Sequence, residues 1–198
     1  MKRSDRTPPA WVAALALMST AMSAQAAPDN WGVEGAHGEL HINGALSAGA
    51  CRLDMASLFQ QVEMGVIPTA PLQRPGDQGE PVAVQLQLRD CLPVGGRQRD
   101  DRNGNLTWDG IQPVVSVSFV ARMDDDNPAL VKARGASGLG LRLLDSQKRD
   151  VRLGSRGSPQ FLTPYNDQLT YYVVPERTQA PLAPGAFRAS VDFRLNYD

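Results

Sequence analysis

Apolar and polar residues exchange places at almost every step along most of this chain. At the C-terminal end, Phe187, Ala189, Val191, Phe193, Leu195 and Tyr197 take one set of alternate positions. Arg188, Ser190, Asp192, Arg194, Asn196 and Asp198 take the other. Successive strand side chains point to opposite faces, so the pattern predicts one long strand over 187–198 with a buried and a wet face. The same period recurs at Leu40, Ile42 and Leu46, and at Val82, Val84, Leu86 and Leu88 running into Cys91. It returns at Val115, Val117 and Phe119, at Leu139, Leu141 and Leu143, at Val151 and Leu153, and in the segment LTYYVVPE. Turn-rich pieces such as PLQRPGDQGEP, VGGRQRDDRNGN, DDDNP, GSRGSP and APG separate these runs. Only Asp54 to Val62 predicts a short helical turn. Many short alternating strands at this spacing predict an all-β sandwich.

The N-terminal residues break the pattern twice. Lys2, Arg3 and Arg6 precede a short apolar run, WVAALALM, and the small residues of SAQA follow it. That order predicts a secretory signal over 1–26, too short to span a membrane and cleaved after Ala26. Residues 27–38 (APDNWGVEGAHG) are Gly-rich and too poor in apolar residues to hold themselves in a core, so the packed domain is expected over 39–198. Removing 1–26, which carries three bases and one acid, takes the net charge from −1 to near −3. No basic run interleaved with aromatics suggests nucleic acid, and no later segment is apolar enough to be a membrane span.

Export changes how the two cysteines read. Cys51 and Cys91 are an even pair in an oxidising compartment, which favours one disulfide over two free thiols. The histidines, His37 and His41, both precede the first cysteine. A nucleophilic triad needs a histidine fixed against its partners, so no enzyme is expected, and no cofactor. Asp101, Asn103, Asn105 and Asp109 in DRNGNLTWDG resemble the ligand spacing of a calcium loop. Leu106 and Gln112 stand where that loop needs Gly and Glu, so the segment is expected to be a solvated turn on Asn103-Gly104, with no metal.

Four segments in order carry a resemblance: GELHINGALSAGAC, VAVQLQLRDC, SGLGLRLLD and FRASVDFRLNYD. Together with the cysteine spacing and the signal, they make the chain similar to the pilin subunits of chaperone–usher (type 1-like) fimbriae of Gram-negative bacteria. One departure is DCLPVGGRQRDDRNGNLTWDGIQP, longer and more polar than the matching loop of an ordinary major pilin. The resemblance implies an incomplete immunoglobulin-like sandwich lacking its seventh strand, completed by a donor strand from a partner. Strand addition of this kind is a general mode of recognition, and chaperone–pilin complementation is a standard instance of it. It further implies a structural subunit of an extracellular fimbrium that reaches the surface through the periplasm and contributes to cell adhesion.

The resemblance also assigns roles to residues. Trp31, Val33, Gly35 and His37 in 27–38 are expected to form the donor strand. Phe187, Ala189, Val191, Phe193, Leu195, Tyr197 and Asp198 are expected to line the acceptor groove and be recognised by the chaperone, with the Asp198 carboxylate as an anchor. The expected partners are a periplasmic chaperone, an outer-membrane usher and neighbouring pilin subunits. A chain ending at Tyr197-Asp198 leaves no residues for a covering strand of its own. The alternatives are a minor adaptor or adhesin-like binding module using the 92–112 loop, and a terminator subunit. The sequence leaves these open.

Overall fold

The computed structural model describes residues 49–197, which belong to one unit spanning 47–198. The alternating segments form strands β1 (Arg52–Leu53), β2 (Val82–Cys91), β3 (Gly96–Arg99), β4 (Leu106–Asp109), β5 (Val114–Ala121), β6 (Val131–Lys132), β7 (Leu139–Leu144), β8 (Gln160–Phe161), β9 (Tyr165–Arg177) and β10 (Val191–Asn196). One short helix, α1 (Met55–Leu58), follows β1 and is capped by the Asp54 carboxylate, which accepts from the Ala56 amide at 2.9 Å. A five-stranded sheet runs β1-β2-β9-β7-β6, a three-stranded sheet runs β10-β5-β8, and β3-β4 is a separate hairpin. All paired strands are antiparallel. The fold is all-β, as the periodicity predicts.

The core forms where the apolar faces of the two larger sheets meet. Leu86 and Leu88 of β2, Leu169 and Tyr171 of β9, and Leu141 and Leu143 of β7 pack with Val115, Val117 and Phe119 of β5. Leu86, Leu88, Val115 and Val117 are almost wholly removed from water, each stabilising the fold by about 2 kcal/mol of apolar burial. Phe119 meets the Tyr171 ring edge-on, with centroids 4.7 Å apart. Just before Cys91 the β2–β9 register shifts, and Asp90 takes a positive φ of 54°. This bulge lies beside the bridge between Cys51 and Cys91, both of which are buried. Closing that 40-residue separation stabilises the fold by roughly 4 kcal/mol in the chain-entropy account.

Three segments differ from the expectation. Val151 and Leu153 do not form a strand. The Val151 amide donates to Leu143, and the Gly154 and Gly157 amides then donate to Phe119 and Val117, so this segment crosses from one sheet to the other. Its side chains alternate because it lies over the core. The long polar segment 92–112 is a β-hairpin with Gly104 at φ 73° in its turn. The terminal strand is shorter than 187–198, since its partner β5 ends at Ala121, opposite Val191. Phe187, ahead of the strand, packs against the main core and also against a small second cluster of Leu72, Ala133 and Leu139.

Candidate functional site

Among the described residues, β10 pairs on one side only. Its register with β5 runs from Val191 opposite Ala121 to Asn196 opposite Ser116, and it stands at the end of its sheet. Period-two alternation turns Val191, Phe193 and Leu195 toward the main core, with Tyr197 beyond them, while Asp192 and Arg194 are exposed. The inward side chains are only half-buried, unlike Leu86 and Leu88 of β2 and Val115, Val117 and Phe119 of β5. The Phe193 ring lies 6.3 Å from that of Phe119, so this edge is continuous with the central core. A strand edge carries unpaired N–H and C=O groups, and beside half-covered apolar side chains it is a template for another strand.

The C-terminal end of β10 is fixed by polar contacts. The Asn196 side-chain amide donates to the Ser116 carbonyl at 3.2 Å and to the Ser118 hydroxyl at 3.0 Å. Gln98, buried on the inner face of β3, donates to the Asn196 carbonyl at 2.7 Å and to the Val114 carbonyl at 3.2 Å. Beside this clamp lies a cavity of about 230 Å³, lined by Gly49, Ala50, Leu92, Val94, Pro113 and Tyr197 among others. The Tyr197 hydroxyl is buried without a hydrogen-bond partner among the described residues, and desolvation pushes its pKa up to about 12.

The remaining predicted site residues fall as follows. Phe187 and Ala189 precede β10, and Trp31, Val33, Gly35, His37 and Asp198 lie outside the described residues. In the hairpin, the Asn103 side-chain oxygen accepts from the Asn105 amide at 2.8 Å. The Asp109 carboxylate accepts from the Ile111 and Gln112 amides at 2.8 Å each. Those two backbone hydrogen bonds hold the Asp109 carboxyl below its ordinary range. These oxygens are engaged with their own backbone, and no cluster of three or more His, Cys, Asp or Glu suited to a metal occurs among the described residues. No helix among them is long and apolar enough to cross a membrane.

Sequence reasoning missed Gln98 and Asp100, the buried polar residues of the hairpin. Burial works to raise the Asp100 pKa. Hydrogen bonds from the Arg102 amide, the Ser158 hydroxyl and the Asn103 amide outweigh it and hold the carboxyl below its ordinary range. The available signal was the alternation of Arg97, Gln98 and Arg99 facing that of Leu106, Thr107 and Trp108 across Asn103-Gly104.

Comparison with known proteins bears on this edge. The sequence model of a family described as "Fimbrial protein" matches residues 40–198. The chain is 27% identical over 164 residues to the Fimbria A protein of Serratia marcescens, covering 81% of this chain and 84% of that one. Its fold is similar to the crystal structure of the P pilus rod subunit PapA, with a TM-score of 0.60 at 20% identity, covering 76% of this chain and all of that one. It is also similar to a subunit in the structure of a chaperone–usher pilus, with a TM-score of 0.60 at 19% identity, covering 84% of this chain and 98% of that one. The sandwich is thus of the incomplete immunoglobulin-like kind found in such subunits.

Proposed function

The chain belongs to the Fimbrial protein family, whose members form surface pili, and on that premise we propose that it joins its neighbours by donor-strand exchange. It is a structural subunit of a surface fimbrium. In this reading the unpaired side of β10 is an acceptor edge, occupied first by a strand of a periplasmic chaperone and then by residues 27–38 of an adjoining subunit. Residues 1–26 direct export and are removed, and an outer-membrane usher passes the subunits outward. Trp31, Val33 and His37 present alternate side chains to the groove beside Val191, Phe193 and Leu195, with Gly35 where the two backbones come close. The Asp198 carboxylate anchors the chaperone. The chain works by assembly and has no catalytic role.

The observation that carries this reading is the one-sided pairing of β10, whose apolar face is only half covered although it is continuous with the core. Strand addition supplies backbone hydrogen bonds to the edge and apolar cover to the face together. Deleting 27–38 tests it. The truncated subunit should still be captured by its chaperone but should not enter another subunit, so fibres should stop at it. A synthetic 27–38 peptide at roughly a hundred times its Kd should raise the truncated subunit's stability by about 2.7 kcal/mol, read from its melting temperature. A truncated subunit that polymerises normally would show that 27–38 donates no strand.

A further inference from the structure

The end of the sandwich where β5 begins carries more than the β10 edge. The chain enters the described body at Gly49 and Ala50. The Leu92 amide donates to the Ala50 carbonyl at 2.8 Å, which fastens this entry to the start of the β3–β4 hairpin. The stretch of chain between residue 38 and Gly49 can span no more than roughly 40 Å, so whatever 27–38 binds is held on a short tether from this entry point.

The hairpin has two chemically different faces. Its register sets Gln98 opposite Thr107, with Gln98 buried against the sandwich, and Gly96 lies so close to β5 that a Cβ there would stand 2.4 Å from the Val114 nitrogen. Arg97 opposite Trp108, and Arg99 opposite Leu106, make up the other face. Both arginines are exposed, as is Leu106, and Trp108 is 66% exposed. The Arg99 guanidinium donates to the Gly104 carbonyl at 2.6 Å, and Arg102 reaches the Asp150 carbonyl at 2.9 Å. The outward face is therefore held by contacts at its base, at its turn and along its flank. Tryptophan and arginine are among the residues that dominate protein interfaces, and a hairpin backbone already in place lowers the ordering entropy that opposes binding.

We propose that this outward face, Arg97, Arg99, Leu106 and Trp108, is a second contact surface that packs against the neighbouring copy of this chain to which residues 27–38 are donated. The inference rests on the strand-donation reading above. The tether chooses the occupant: a neighbour held through 27–38 is confined near this end at an effective concentration in the millimolar range, so a contact too weak to form between free subunits is filled within the fibre.

Thiol protection tests this, because both native cysteines are in the bridge and Trp108→Cys introduces a single reactive thiol. Maleimide labelling of that thiol should be at least about tenfold slower in fibres of the full chain than in the monomeric 27–38 deletion subunit, as expected for a residue at the centre of a contact. Equal rates within about twofold would overturn the proposal while leaving strand donation intact. If the deletion subunit itself forms fibres, strand donation falls, and comparison with denatured subunit still decides whether a neighbour covers the hairpin. A full chain that never polymerises overturns both.

Discussion

Strands β2 and β10 carry the same alternation of apolar and polar residues and meet different fates. In β2, Leu86 and Leu88 are each 1% exposed, because this part of the strand pairs with β9, meets β1 at Leu88 and is faced by β5, whereas Val82 and Val84 nearer its start are half-buried. In β10, Val191, Phe193 and Leu195 face the same core but are only half-buried, and β5 is the strand's one neighbour among the described residues. Period-two patterning specifies which face of a strand is apolar. How many strands stand beside it is set elsewhere in the chain, and the strand-donation proposal assigns the second neighbour of β10 to another molecule.

The largest expected effect breaks the complete side of that comparison. Leu88→Ala should cost about 4 kcal/mol, since the fully enclosed site cannot collapse onto the void, and the cost should be the same in isolated and strand-complemented subunits. Leu195→Ala should cost only about 1.5 kcal/mol in the isolated subunit and about twice that once a strand covers it. Urea unfolding of both variants with and without the 27–38 peptide measures the contrast. Equal costs for Leu195→Ala in the two states would remove the distinction between the strands.

A somewhat smaller effect concerns the polar support of the five-stranded sheet. Glu176 of β9 is buried and accepts from Arg142 of β7 at 2.7 Å and from the Gln78 side chain at 2.7 Å, while Arg142 also reaches Asp150 at 2.6 Å. Burial acts to raise the Glu176 pKa, but the hydrogen bonds from Arg142 and Gln78 prevail and hold it below its ordinary 4.5. A depressed carboxyl contributes stability that is fully present above pH 4.5 and is lost as the pH falls through the lowered folded value. Glu176→Gln should cost about 3 kcal/mol at neutral pH by leaving Arg142 partly unpaired, and should flatten the acid limb of a melting-temperature profile. An unchanged acid limb would place that pH dependence on other carboxylates.

The smallest effect sharpens the comparison at the incomplete side. Gln98→Ala should cost about 1–2 kcal/mol by leaving the Val114 and Asn196 carbonyls without that donor. The loss should concentrate at the end of β10. Amide exchange there should accelerate while β2 and β9 amides stay protected, and uniform acceleration would argue that Gln98 supports the sandwich as a whole.

Residue by residue, the sequence by itself determined most of the frame. Alternation located β2, β5, β7, β9 and the centre of β10, because each presents one face to a common core and the side-chain period of a strand is two. The segment Asp54 to Val62 read as a short helical turn, of which Met55–Leu58 is helical, and an even cysteine count in an exported chain pointed to the bridge that Cys51 and Cys91 form. Tertiary structure alone decided the rest. Val151 and Leu153 alternate like a strand but cross between sheets, since periodicity records contact with a core and not hydrogen-bonded pairing. The 92–112 segment reads as a polar loop because the groups it buries, Gln98 and Asp100, are polar, and their burial is tolerated only where partners from β5, β10 and the 158 region converge. The open side of β10 was legible as an apolar face. That it has β5 as its one neighbour among the described residues depends on strand order, which distant segments set through long-range pairing and which no local pattern encodes.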